Sequence, residues 1–230
     1  MAANIVNVVV TREAGKNDPL LAWLPPEATV TEVPLTTTTY FDLDAVRVAL
    51  EESPGNGKYR SLVVTSERSA DFVETALRAS APDVEIFSVG PTTASALGNR
   101  DVKVFAQGEG SADSLAPHIA RGPVLMLGAT SMREELGAAL RAKGLEVVAI
   151  ACYETVGAQL DQSDKETLRH ADVLFIGAPS AWAVARENVG PDTWVVVPGA
   201  STGAVVRVDH PRVIEGWGPH LRTRLAELTI

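Results

Sequence analysis

Short apolar runs rich in β-branched residues recur along the chain. They alternate with stretches whose apolar residues return every three or four positions. The runs predict strands at Ile5–Val10, Thr29–Val33, Ser61–Thr65, Glu85–Val89, Val102–Phe105, Val124–Leu127, Glu146–Ala151, Val173–Ile176, Trp194–Val197 and Arg212–Ile214. The amphipathic stretches Asp42–Glu52, Ala70–Ala79, Arg133–Lys143 and Asp164–His170 predict helices. Ser131 with Glu134, and Ser163 with Glu166, fit the capping-box spacing at two helix starts. Regular alternation of strand and helix predicts parallel sheets with helices on both faces. Unbroken apolar runs such as "NVVV" and "VLFI" suit central strands covered on both sides.

The pattern repeats. "SLVVTSERSADFVETAL" followed by "VEIFSVGPTTASAL" parallels "DVLFIGAPSAWAVARENV" followed by "TWVVVPGASTGAVV". The flanks match as well: "NVVVTREAG…TVTEVPL" parallels "PVLMLGATSMREELGAALRAKGLEVVAIACY", and the offset stays near 110–117 residues. The order is permuted, because the flanking unit precedes one copy and follows the other. This predicts a discontinuous α/β domain of residues 1–35 and 155–230. A second, residues 41–150, is inserted into it, and the chain crosses through linker strands 36–40 and 151–154.

Composition narrows the function. The 230 residues are 46% hydrophobic and 21% charged, enough for a full core. A net charge of −9 argues against sequence-independent binding of nucleic acid. It leaves room for an anionic ligand held by backbone amides and a few arginines. Cys152 is alone, so an internal disulfide or a multi-cysteine metal site is excluded. The four histidines are scattered without metal-ligand spacing. No apolar run reaches the length of a membrane span, and the opening "MAANIVNVVVTRE" lacks a basic n-region and a cleavage site. A cytoplasmic location with no membrane partner is therefore expected. No coiled-coil pattern is present, which points to a monomer.

Candidate chemistry lies in the turns after the strands. Parallel α/β sheets bind ligands beyond their carboxyl ends, where helix N-termini offer free N–H groups. The turns in question are Thr11-Arg12, Thr65-Ser66, Gly90-Pro91-Thr92-Thr93, Gly128-Ala129-Thr130-Ser131, Gly177-Ala178-Pro179-Ser180 and Gly199-Ala200-Ser201-Thr202. Small residues admit a ligand to the backbone, and hydroxyls add donors. Each Ser or Thr could equally serve as an ordinary helix cap. As a set, the turns are expected to bind a ligand in an inter-domain cleft. None is a nucleotide motif: "GEGSADSLA" lacks the third glycine of a dinucleotide fingerprint, and "VTSERS" is not a nucleophile elbow. Arg12, Arg68 and Arg133 follow strand ends or open a helix, so each is a candidate for an anion or for its neighbouring glutamate. Tyr153, at the second domain crossing, can donate a proton or a hydrogen bond, or can pack over the linker. Cys152 should point to the opposite face of that strand as an inert thiol. Trp182, Trp194 and Trp217 are expected in the core.

In order along the chain, "VVVTRE", "VVTSERSADFV", "VGPTTASAL", "VVAIACYET", "IGAPSAW" and "VPGAST" resemble the motifs of the uroporphyrinogen-III synthase family. The resemblance implies two flavodoxin-like α/β domains joined by a two-stranded linker, the second inserted in the first. It implies an enzyme that closes hydroxymethylbilane into uroporphyrinogen III with inversion of the D ring, using no metal or organic cofactor. By position it puts Tyr153 at the leaving hydroxyl as proton donor. Thr11, Arg12, Ser66, Arg68, Gly90, Thr92, Thr93, Arg133, Ser180, Gly199, Ser201 and Thr202 would then surround the substrate carboxylates. In the sharpest form, Thr93 and Thr202 hold carboxylates of one tetrapyrrole across the cleft. The chain departs from the family at "IGAPS", where T-S-P is usual, and at Pro198. The alternative is a non-catalytic two-domain binder of a small anion.

Overall fold

A computed structural model describes residues 7–132 and 134–227. Ile5, Val6 and Arg133 lie outside the described residues. The strands are β1 (Asn7–Val10), β2 (Thr29–Glu32), β3 (Thr36–Tyr40), β4 (Tyr59–Val64), β5 (Ser80–Ser88), β6 (Ala106–Gln107), β7 (Val124–Ala129), β8 (Val147–Gly157), β9 (Val173–Phe175), β10 (Trp194–Val197) and β11 (Val213–Glu215). The helices are α1 (Asp18–Leu21), α2 (Leu43–Glu51), α3 (Val73–Arg78), α4 (Pro91–Gly98), α5 (Ala112–Leu115), α6 (Glu134–Ala142), α7 (Gln162–Arg169), α8 (Pro179–Ala185), α9 (Ala200–Asp209) and α10 (His220–Ala226). The chain divides into two units: Met1–Thr37 with Val156–Ile230, and Thr38–Thr155.

The first unit carries a parallel sheet in the order β11-β10-β9-β1-β2. Strict alternation along its strands fills two cores. Val9, Leu174, Val195 and Val197 face one layer; Val8, Val10, Val173, Phe175 and Val196 face the other. Both faces are apolar because helices cover both, which is why the strands read as continuous runs. Trp182 is fully buried, whereas Trp194 and Trp217 are only half-buried.

The second unit's sheet runs β3-β8-β7-β4-β5-β6, with β8 through β6 mutually parallel. Its order β8-β7-β4-β5-β6 corresponds strand for strand to β2-β1-β9-β10-β11. The permuted sequence repeat thus has a topological counterpart: the same spatial order is reached from a different starting strand. β3 pairs with β8 antiparallel: the Ala158 amide donates to Leu35, the Phe41 amide donates to Cys152, and the Thr38 and Thr155 hydroxyls meet at 3.4 Å.

Several elements differ from the sequence expectation. The strand placed at Val102–Phe105 forms instead at Ala106–Gln107, because Val102 and Val104 turn inward against the hydrophobic core. The Ala70–Ala79 helix is broken: a 3₁₀ segment Glu67–Phe72 precedes α3. Helix α7 is capped by Asp161, not Ser163. Asp161 accepts from the Asp164 amide at 2.8 Å, and Asp164 reaches back to the Asp161 amide. The start of α6 adjoins Arg133, so the expected Ser131 cap falls partly outside the described residues. Cys152 and Tyr153 join the same buried cluster rather than opposite faces. The β7–β8 register slips between Gly128 and Ala129, pairing them with Ala151 and Tyr153; the extra residue, Cys152, breaks the alternation.

Candidate active site

In the second unit, a cleft of about 750 Å³ opens at the carboxyl ends of the parallel strands, within the size range of small-molecule sites. It lies where the winding reverses: β4 to β6 run one way from the centre and β7 to β8 the other. At such a reversal the flanking helices diverge and leave a crevice. Its walls are Thr65 and Ser66 after β4, Val89–Thr93 after β5, Gly110–Asp113 after β6, Met126 and Ala129 of β7, Ser131 and Met132 after it, Glu135 and Leu136 of α6, and Tyr153 of β8. Ser66, Gly90, Thr92, Thr93 and Tyr153 are therefore brought together.

The turn chemistry sorts these groups. Gly90 is the N-cap of α4 and offers no side chain to the first amides; Pro91 follows at the first helical position. Thr92 is exposed, while Thr93, one residue deeper, is 6% exposed and lines the cleft. Neither threonine is the cap, so the amides at the start of α4 remain available to an anion. Ser66, by contrast, does cap: its hydroxyl accepts from the Arg68 amide at 3.3 Å. Tyr153 is 6% exposed, its ring lies 5.9 Å beneath the Arg68 guanidinium carbon, and the Thr130 amide donates to its carbonyl. Beside it, burial pushes the Cys152 thiol up to about 12, against smaller opposing contacts from Ser69 and the Gly128 amide.

In the first unit, the corresponding turns follow the adjacent strands β1, β9 and β10, so they share one sheet edge. Thr11 is buried and donates its hydroxyl to the Phe175 carbonyl, tying β1 to β9. Arg12 is half-buried and makes no ion pair among the described residues. Gly199 caps α9 without a side chain; Ser201 is exposed and Thr202 buried, repeating the arrangement at Gly90. Ser180 is exposed, one residue into α8 beyond Pro179. Next to it, Trp217 packs against the Gly177 turn. Arg133 lies outside the described residues.

Sequence reasoning passes over Gly110–Asp113, Glu135 and Leu136 as site residues. The segment at 110 is considered there only as a dinucleotide fingerprint, which it fails for want of the third glycine. The signal there is of another kind: Gly110 takes a φ of 91°, and Ser111 caps α5 by accepting from the Ser114 amide. A second cleft, at the amino ends of β9–β11, is lined by groups that partner one another. Arg212 pairs with Asp192 at 2.7 Å, and Thr193 donates to Ala171. Among the described residues, no three His, Cys, Asp or Glu side chains group as a metal site, and no helix is long and apolar enough to cross a membrane.

A parallel α/β unit with a hydroxyl-bearing crevice at its sheet reversal has the form of a small-molecule site. The particular family is shown by comparison. The family described as uroporphyrinogen-III synthase HemD matches residues 27–207, and the chain belongs to it. The enzyme class that follows is a cyclising lyase, and the non-catalytic binder is not favoured. Among solved structures, a mutant uroporphyrinogen III synthase from Thermus thermophilus is 16% identical, with a TM-score of 0.63 and 96% of each chain covered. Uroporphyrinogen-III synthetase from Helicobacter pylori is also 16% identical, with a TM-score of 0.65 over 96% of this chain and 98% of that one. At these identities the likeness is one of fold. No curated protein sequence matches the chain significantly.

Proposed function

We propose that this chain closes hydroxymethylbilane to uroporphyrinogen III, with the cleft of the second unit as the reacting centre. The observation that carries the reading is the convergence of Ser66, Gly90, Thr92, Thr93 and Tyr153 on one cleft in a member of this family. The substrate is a flexible chain of four pyrroles bearing acetate and propionate groups. The uncapped start of α4 and the surrounding hydroxyls suit those carboxylates without demanding a positive protein. Arg68 adds a cation beside Tyr153. Arg12, Ser180, Gly199, Ser201 and Thr202 of the first unit, and Arg133, are further candidates for carboxylate contacts, whereas the Thr11 hydroxyl is committed to the Phe175 carbonyl. The arrangement is two flavodoxin-like domains, residues 1–35 with 155–230 and 41–150, joined by linkers 36–40 and 151–154.

The Tyr153 phenol donates a proton to the terminal hydroxyl, which leaves as water and generates an azafulvene cation. The substituted carbon of the D ring attacks that cation and forms a spiro intermediate. The bond from that spiro carbon to its original bridge carbon then breaks, the bridge carbon bonds the free α-carbon of the now inverted D ring, and the proton displaced there restores the Tyr153 phenol. Because the bilane closes unaided, the enzyme's main contribution is control of conformation. A coupled assay with freshly made hydroxymethylbilane tests the reading: uroporphyrin III should dominate after oxidation. Uroporphyrin I alone, at the spontaneous rate, would overturn it.

A further inference from the structure

The Tyr153 ring is not held by the cleft alone. Tyr40 ends β3, and its ring centroid lies 6.1 Å from that of Tyr153 at an angle of 47°. The contacts Thr38–Thr155 and Phe41–Cys152 fix the antiparallel β3–β8 register and place Tyr40 directly across from Tyr153. Such cross-strand aromatic pairs constrain each other's rotamers. The constraint matters here for two reasons. β3 is the edge of its sheet, and the irregularity at Cys152 interrupts the alternation that would otherwise aim the next side chain. Tyr40 is 52% exposed and is not among the cleft walls, and its ring meets the Tyr153 ring from outside the cleft lining.

We infer that Tyr40 is a positioning residue: its ring holds the Tyr153 ring in the orientation that presents the phenol to the cleft. The inference rests on the reading of Tyr153 as proton donor. It places the requirement on the ring of Tyr40 and not on its hydroxyl.

Steady-state kinetics of isomer III formation supply one test. Tyr40→Ala lowers kcat roughly tenfold with KM nearly unchanged, as expected for a misaimed catalytic group. Tyr40→Phe retains wild-type kcat. In a Tyr153→Phe background, Tyr40→Ala causes no further loss. An equal loss in that background, a loss in Tyr40→Phe, or an effect confined to KM overturns the inference. A second test is independent of turnover. The chain has only three tyrosines, so tyrosine-selective isotope labelling resolves the Tyr153 ring by NMR. Tyr40→Ala shifts and broadens that signal while Tyr59 stays put; an unmoved Tyr153 signal overturns the inference. Failure of the enzyme reading shows separately, as a wild-type protein that forms no isomer III. Failure of the donor reading shows as a Tyr153→Phe variant with full kcat, which leaves Tyr40 nothing to act through and overturns the inference too.

Discussion

Gly128, buried near the end of β7, is a position where the second sheet has no room for a side chain. A Cβ there would collide with the Thr65 hydroxyl oxygen and would lie 2.5 Å from Cγ and Sδ of Met132. The two neighbours differ in what they can yield. Met132 is unbranched and can swing aside. Thr65 is β-branched, with few rotamers, and its hydroxyl donates to the Leu127 carbonyl at 2.9 Å. Moving it forfeits that bond, about 1 kcal/mol, and overpacking adds roughly 1–3 kcal/mol. Replacing glycine in a strand returns about 0.5–1 kcal/mol of backbone entropy. Gly128→Ala is therefore expected to destabilise the second unit by about 2 kcal/mol. Urea denaturation followed by tyrosine near-UV circular dichroism reads that unit, because Tyr40, Tyr59 and Tyr153 all belong to it while all four tryptophans lie in the other. A Thr65→Ala background should relieve part of the penalty, since the stiff partner is then gone. A loss below about 0.5 kcal/mol would refute the steric reasoning.

Tyr153→Phe is expected to slow isomer III formation at least about tenfold, the low side of acid–base effects, read in the coupled assay; unchanged turnover would remove Tyr153 as donor. Arg12→Ala should raise KM with kcat little changed, and a KM equal to wild type would make Arg12 a surface residue. Cys152, its thiol pushed up to about 12, should resist alkylation in the native protein at pH 8 and react fully in denaturant; equally fast labelling of both would contradict its burial. The same shift has a stability sign. The native state favours the neutral thiol, so this contribution is complete below the ordinary cysteine value and declines as pH rises from there towards 12.

Local chemistry was legible in the sequence wherever it followed from one segment's own pattern. The apolar runs of β1, β4, β7, β9 and β10 stand out because both faces of a parallel sheet are buried, so no polar interruption intervenes. The matched turns at Gly90 and Gly199 show because each needs a small residue at a strand-to-helix junction followed by hydroxyls. Tyr153 was legible from its place in "IACYETVG". What depended on distant neighbours was not. Val102 and Val104 read as a strand, but the core of the second unit captures them as a loop. Ser163 had the spacing of a cap, yet Asp161 has the chain direction to accept from Asp164.

By itself the sequence determined the alternation of strands and helices, the permuted repeat, and the residue types at each strand end, because these are properties of local pattern and order along the chain. The tertiary structure alone decided which turns share a cleft, since strand order sets which carboxyl ends are adjacent. It decided that Thr11 is tied to Phe175 while Thr93 faces open space, since a hydroxyl's availability depends on the carbonyl it meets. It also decided that Cys152 and Tyr153 share one cluster, because a single irregularity in the β7–β8 register overrides the two-residue alternation that the sequence prescribes.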